Sequence, residues 1–286
     1  MRWTPGGRSD NLEDRRGASG GGGFRSGGGG GMKLGLGGTV VLLVLSLIFK
    51  RDLLTEFSGG VPGGQTAPST QSAPVADAGE EKMVQFVSFV LDTAQASWHA
   101  LMPQYRDARL VLFREGVQSA CGAASAASGP FYCPGDERVY IDLSFFDQLD
   151  RQFGAPGDFA QAYVLAHEIG HHVQNLTGTE KAMRNAVQRN PAAGNQLSVA
   201  MELQADCYAG VWAYSAARAG IIEAGDLDEG LGAAAAVGDD RLQKMSTGRV
   251  NPESFTHGSS ADRRAWFSKG FDSGDPRSCD TFRQGR

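Results

Sequence analysis

From Met83 onward, apolar residues return at Phe86 and Val87, Val90, Ala94 and Leu101. These intervals trace one face of an α-helix and predict a helix over residues 80–102. The pattern changes at Arg109–Phe113 and again at Arg138–Asp142, which are short, β-branched or apolar runs. They predict a small β element. Helical spacing resumes at Asp158, a residue type that can cap a helix N-terminus, and ends near Gly178, a C-terminal stop. A second strong helix is predicted from about Gln196 to Gly220. Ser259-Ser260-Ala261-Asp262 resembles a capping box that opens a last helix. Helix outweighs strand, so the predicted fold class is α+β, mostly α.

The first third of the chain reads differently. Ten of the fifteen residues from Gly17 to Gly31 are glycine. Glycine loses the most backbone entropy on ordering, and little apolar area offsets that loss here. Residues 1–31 are therefore expected to be a flexible Gly/Arg-rich arm. Leu34 to Phe49 is uncharged and lies between Lys33 and the pair Lys50-Arg51. As a helix it spans ~24 Å, short of a ~30 Å hydrocarbon core. Snorkelling of the flanking cations and local thinning of the bilayer can close that gap. The expectation is a transmembrane anchor over residues 32–51. No small-x-small site follows Phe49, which argues against a removed signal peptide. Arg15, Arg16, Arg25 and Lys33 precede the run, whereas only Lys50 and Arg51 follow closely. This asymmetry favours the arm inside and everything after residue 51 outside. Residues 52–80 then read as a linker rich in Gly, Pro, Ser and Ala, and residues 81–286 as one globular domain.

Charge and composition narrow the class. The chain has 27 Lys+Arg against 32 Asp+Glu, a net charge of −5. A nucleic-acid binder would carry a basic excess, so that partner is excluded. A hydrophobic content of 41% suffices for a folded core, and no internal repeat is visible.

The chemistry concentrates at His167-Glu168-Ile169-Gly170-His171, an HExxH motif inside a predicted helix. At ~100° per residue the two histidines stand one turn apart on one face, where both imidazoles can reach a Zn²⁺ at ~2.1 Å. Glu168 lies ~100° round, placed to take a proton from a metal-activated water without being a ligand. A catalytic zinc wants a third protein ligand and one open position. The best candidate is Glu202. Asp206, four residues on, shares its face, and two like charges on an apolar helix need something to neutralise them. Zinc on Glu202, with Asp206 orienting a ligand imidazole, meets that need. His257 and Arg263 could stabilise the oxyanion of a tetrahedral intermediate. His172 lies off the zinc face, as a packing or supporting residue, and His99 as an ordinary partly buried histidine.

The four cysteines, Cys121, Cys133, Cys207 and Cys279, allow three pairings. Pairing 121–133 and 207–279 is preferred; the second bond would bolt the Glu202 helix to the tail. Free buried thiols are the alternative. Disulfides would agree with an extracytoplasmic domain.

These residues resemble the bacterial neutral zinc metallopeptidase family of membrane-anchored proteins. The resemblance runs from Arg8-Ser9-Asp10-Asn11-Leu12-Glu13-Asp14-Arg15-Arg16-Gly17, before the glycine-rich arm and apolar run, through Cys133–Asp136 and Val139–Leu143. It continues through His167–Val173 and Glu202–Trp212. It implies a zincin-like metallopeptidase domain. A more distant similarity to the glutamate-ligand zinc peptidases implies Glu202 as ligand, Asp206 behind it, and His257 with Arg263 near the site. Where that pattern has Pro after the His, this chain has Gly258.

The expectation is a single-pass, membrane-anchored zinc metallopeptidase that acts on peptide or protein substrates with one Zn²⁺. Its catalytic domain would lie outside the cytoplasm, periplasmic in a Gram-negative bacterium. A non-catalytic zinc-stabilised module binding cell-envelope partners, or a hydrolase of non-peptide amides, are the rivals.

Overall fold

The structure, a computed structural model, describes residues 1–17, 78–125 and 128–282. It is mostly helical with a small sheet. Helix α1 (Ala78–Leu101) precedes the strands β2 (Arg109–Phe113), β3 (Gly116–Ser119), β4 (Gly122–Ser125), β5 (Phe131–Cys133) and β6 (Arg138–Asp142). Then follow α2 (Ser144–Arg151), α3 (Asp158–Thr177), α4 (Thr179–Arg189), α5 (Gly194–Arg218), α6 (Asp226–Ala236), α7 (Asp239–Thr247) and α8 (Ser260–Ser273).

The two predicted strands, β2 and β6, form a parallel pair at the middle of a four-stranded sheet. One edge is β5, antiparallel to β6. The other edge is β1 (Leu12–Asp14), parallel to β2. Strands β3 and β4 form a separate antiparallel hairpin.

Strand β1 corrects the reading of residues 1–31 as an arm, because residues 1–17 pack on the domain. Leu110 donates its N–H to the carbonyl of Asn11 at 2.9 Å, and Arg15 donates to Leu112 at 2.8 Å. Arg8 pairs with Glu81 at 2.6 Å and Arg16 with Glu80 at 3.2 Å. The apolar edge of β2 and the acids opening α1 supply partners for a segment whose own composition predicts nothing. Residues 78–80, expected at the end of the linker, are the first turn of α1.

The expected anchor, 32–51, and the linker up to residue 77 lie outside the described residues. Among the described residues, no helix is long and apolar enough to cross a membrane. The Arg16–Glu80 pair brings the two flanks of this stretch together. A single crossing between them would put β1 and β2 on opposite faces, so that crossing and the β1–β2 pairing exclude one another.

Helices α3, α5 and α8 form the heart of the domain. Phe159 of α3 stacks on Trp212 of α5, and Tyr163 meets Phe267 of α8 edge-on. Two glycines let α5 and α8 cross at backbone contact. A Cβ on Gly270 would stand 1.9 Å from the Cys207 carbonyl oxygen, and one on Gly210 would stand 2.1 Å from that of Phe267. Asp158 does not cap α3, as the sequence suggests; Glu229 of α6 accepts the Phe159 N–H at 3.1 Å instead. A Cβ at Gly157, where φ is +111°, would collide with that carboxylate at 2.0 Å. Asp158 faces the Met1 ammonium at 3.0 Å. Helix α3 ends at Gly178 in the left-handed region, and Ser259 caps α8 by accepting the Asp262 N–H. The disulfides are Cys121–Cys133 and Cys207–Cys279.

Candidate metal centre

Helix α3 carries His167 and His171 one turn apart, and α5 brings Glu202 to them. Gly170 makes this approach possible, because a Cβ there would lie 2.9 Å from the carbonyl oxygen of Ala205. Nε2 of His167 lies 3.2 Å from Oε2 of Glu202, and Nε2 of His171 lies 3.6 Å from Oε1. Ligating atoms of all three lie within 4.8 Å of one another. Donors bonded at ~2.1 Å to one tetrahedral ion stand ~3.4 Å apart, so two imidazoles and a carboxylate with these edges fit Zn²⁺.

The far nitrogens of both rings are engaged. Nδ1 of His167 lies 2.8 Å from Oδ1 of Asp206, and Nδ1 of His171 lies 2.8 Å from Oε1 of Gln174. A carboxylate and an amide oxygen only accept, so each Nδ1 is the donor and each Nε2 faces Glu202. Burial works against a charged His167, but Asp206 and Glu202 outweigh it and push the ring up to about 10 in the metal-free protein. Burial also opposes charge on Glu202. The histidines outweigh it, His171 most, and hold the carboxyl well below its usual range.

Asp206 is fully buried and held from behind. Arg263 donates from Nε and Nη2 to its two oxygens at 2.8 and 2.9 Å, and Tyr163 donates its hydroxyl. Arg263, expected in a catalytic role, stands behind this carboxylate. Its guanidinium is buried, tied to Asp206 and 3.8 Å from Glu202.

Glu168 is buried beside the two imidazoles, and desolvation raises its carboxyl above the ordinary value. A divalent cation at the three ligands acts in the opposite sense. His257 is oriented by Asp239, which lies 3.2 Å from its Nδ1 and accepts the backbone N–H groups of Thr256, His257 and Gly258. Burial lowers the His257 ring, but Asp239 and Glu202 together raise it. Gly258 has φ +91° and donates its N–H. Proline can do neither, which accounts for the departure at this position.

His172 is buried away from the ligands. It accepts from Tyr132 and faces the Arg106 carbonyl at 2.7 Å. His99 is half-exposed and meets Asp107 at 2.7 Å.

The full set of HExxH, a glutamate and a supporting aspartate meets a family match over nearly the whole chain. A model of the family described as "Putative neutral zinc metallopeptidase" matches residues 1–282. The chain belongs to this family. The neutral zinc metallopeptidase match includes the residues of β1. Uncharacterized protein YpfJ of Escherichia coli (strain K12) is 47% identical over 291 aligned positions, covering 99% of each chain. Uncharacterized protein Rv2575 of Mycobacterium tuberculosis (strain H37Rv) is 47% identical over 202 positions, 67% of this chain and 68% of that one. No solved structure matches the chain.

Reading the sequence missed Tyr163, Gln174, Gln204 and Asp239. Tyr163 stands four residues before His167, a one-turn spacing that could have pointed to it. Asp239 lies 18 residues from His257 on another element, and no local signal marks it.

Proposed function

We propose that this chain is a zinc-dependent peptidase that hydrolyses peptide bonds of peptide or protein substrates, with His167, His171 and Glu202 holding the metal. The observation that carries the reading is the meeting of these three donors at 3.2 and 3.6 Å edges. A closed structural zinc site takes four protein ligands, whereas the described residues bring together three. That difference favours an enzyme over a zinc-stabilised binding module.

Zinc, when bound, supplies a Lewis acid that acidifies water and polarises a carbonyl. Glu168 takes the proton of the attacking water and returns it to the leaving amine. Asp206 keeps the proton of His167 on Nδ1, and Arg263 and Tyr163 hold Asp206 for that task. His257, fixed by Asp239, presents its ring toward the charge that develops on the substrate carbonyl oxygen.

The two disulfides support a location outside the cytoplasm. Membrane association through residues 34–49 belongs to this proposal, and the β1–β2 pairing supports a form that leaves residues 1–17 and the domain on one side.

The test is cleavage of a peptide library by the purified protein with stoichiometric zinc, with and without a chelator. Chelator-sensitive cleavage supports the reading. Cleavage of non-peptide amides alone redirects it to another amidohydrolase, and zinc binding with no cleavage leaves the binding module.

A further inference from the structure

We propose that Gln174 and Gln204 are positioning residues for His171, forming an amide relay whose direction is set by the backbone carbonyls of Cys279 and Met201. The inference rests on the zinc reading above for its purpose, though not for its geometry.

Both amides are buried and have partners on both sides. Gln204 donates from Nε2 to the Cys279 carbonyl at 2.8 Å. Its Oε1 accepts from Nε2 of Gln174 at 3.1 Å, and the same nitrogen donates to the Met201 carbonyl at 2.7 Å. Oε1 of Gln174 is then left facing Nδ1 of His171 at 2.8 Å.

Direction follows from donor chemistry. A backbone carbonyl can only accept, so Cys279 draws the NH₂ end of Gln204, which turns its oxygen toward Gln174. Gln174 answers with its own NH₂, which the Met201 carbonyl requires as well, and its oxygen turns toward His171. Only the tautomer with a proton on Nδ1 satisfies that oxygen, and it leaves the Nε2 lone pair facing Glu202. Reversing either amide would set oxygen against oxygen in a buried space, leaving groups without partners. The origin of the relay is fixed covalently, because Cys279 is bonded to Cys207 on α5 itself. The two ligand imidazoles are thus oriented by different means. His167 has a buried, Arg-held carboxylate, whereas His171 has a neutral chain that adds no charge to a site already holding Glu202, Asp206 and Glu168.

The test uses the full chain and zinc alone. Zinc Kd is measured by competition with a chromophoric chelator for the wild type, Gln174→Ala, Gln204→Met and the double variant, with melting of each metal-free protein as the check on folding. Outer partners of metal-bound histidines typically contribute ~10–100-fold to affinity, and Gln174→Ala is expected to weaken zinc within that range. Gln204→Met is expected to weaken it less, and to add nothing once Gln174 is Ala. Unchanged affinity in Gln174→Ala, or losses that multiply in the double variant, overturns the relay.

A second readout does not depend on zinc or on Gln174→Ala folding. Nitrogen-15 histidine spectra of the metal-free protein, recorded at a pH where the ring is neutral, should show His171 as the Nδ1–H tautomer, with the Nε2–H form rising in Gln174→Met. An Nε2–H tautomer in the wild type overturns the proposal. A wild type that binds no zinc but shows the Nδ1–H tautomer, shifted by Gln174→Met, leaves the relay standing and removes the peptidase reading.

Discussion

Nδ1 of His167 lies 2.8 Å from Oδ1 of Asp206, and that carboxylate is fully buried. The pair joins metal chemistry to fold stability, because Arg263 closes on the same carboxylate from α8. Asp206→Ala leaves the guanidinium buried without its partner, a loss of ~3–5 kcal/mol. It also frees His167 to turn, which should weaken zinc ~10–100-fold. Replacing both, as Asp206→Leu with Arg263→Met, should recover much of the melting temperature but not the zinc affinity. Calorimetry and chelator competition on the same samples separate the two effects. Zinc bound by Asp206→Ala as tightly as by the wild type would contradict this role.

Zinc must displace a proton. Burial opposes charge on His167, but Asp206 and Glu202 push its ring from 6.5 to about 10 in the metal-free protein. At pH 7–9 the ring is therefore charged before metal arrives. With one proton displaced per ion, zinc Kd should fall ~tenfold per unit of rising pH and level off near the folded value. The sign for stability is the reverse. The raised ring stabilises the metal-free protein fully below 6.5, and that contribution is lost as pH rises toward about 10. Titration calorimetry in buffers of different ionisation enthalpy counts the proton directly.

Two glycines set the helix spacing on which the site depends. Gly270→Ala drives a methyl into the Cys207 carbonyl at 1.9 Å, backbone against backbone, and should prevent native folding or destabilise the domain by more than ~3 kcal/mol. Gly170→Ala meets Ala205 at 2.9 Å, a contact that a small shift of α5 relieves. That shift carries Glu202 away from both imidazoles. Gly170→Ala should therefore keep a cooperative melt while losing zinc, as chelator competition would show.

The pairing of β1 with β2 makes a prediction about membranes. Single cysteines at Asp10 and Glu253, both exposed, should react with an impermeant thiol reagent from the same side in intact cells and inverted vesicles. Labelling from opposite sides would mean that β1 leaves β2 when the protein meets a bilayer.

What the sequence could reveal was mostly local. The facing of His167 and His171 is a property of a single helix turn. The Glu202–Asp206 spacing carried its meaning because two acids on an apolar helix require partners. What was hidden depends on elements far apart in the chain. Strand β1 has three residues and gains its structure only from the edge of β2. Arg263 looked like a group for the open side of the metal. The crossing of α8 over α5 at Gly210 and Gly270 places it behind Asp206 instead. Gln174 and Gln204 bear no charge, so neither spacing nor composition separates them from ordinary polar residues, and only their paired partners show a direction. Glu229 caps α3 from a helix 70 residues away, which no local capping pattern can announce.

The central claim is that three side chains hold one zinc while Glu168 moves the proton. The most direct test compares wild type with Glu168→Gln, measuring bound zinc and peptide hydrolysis in the same preparations. The account predicts one zinc per chain in both, with hydrolysis by the variant reduced ~10²–10⁴-fold. Equal hydrolysis by the two proteins, or a wild type that holds no zinc, would contradict it.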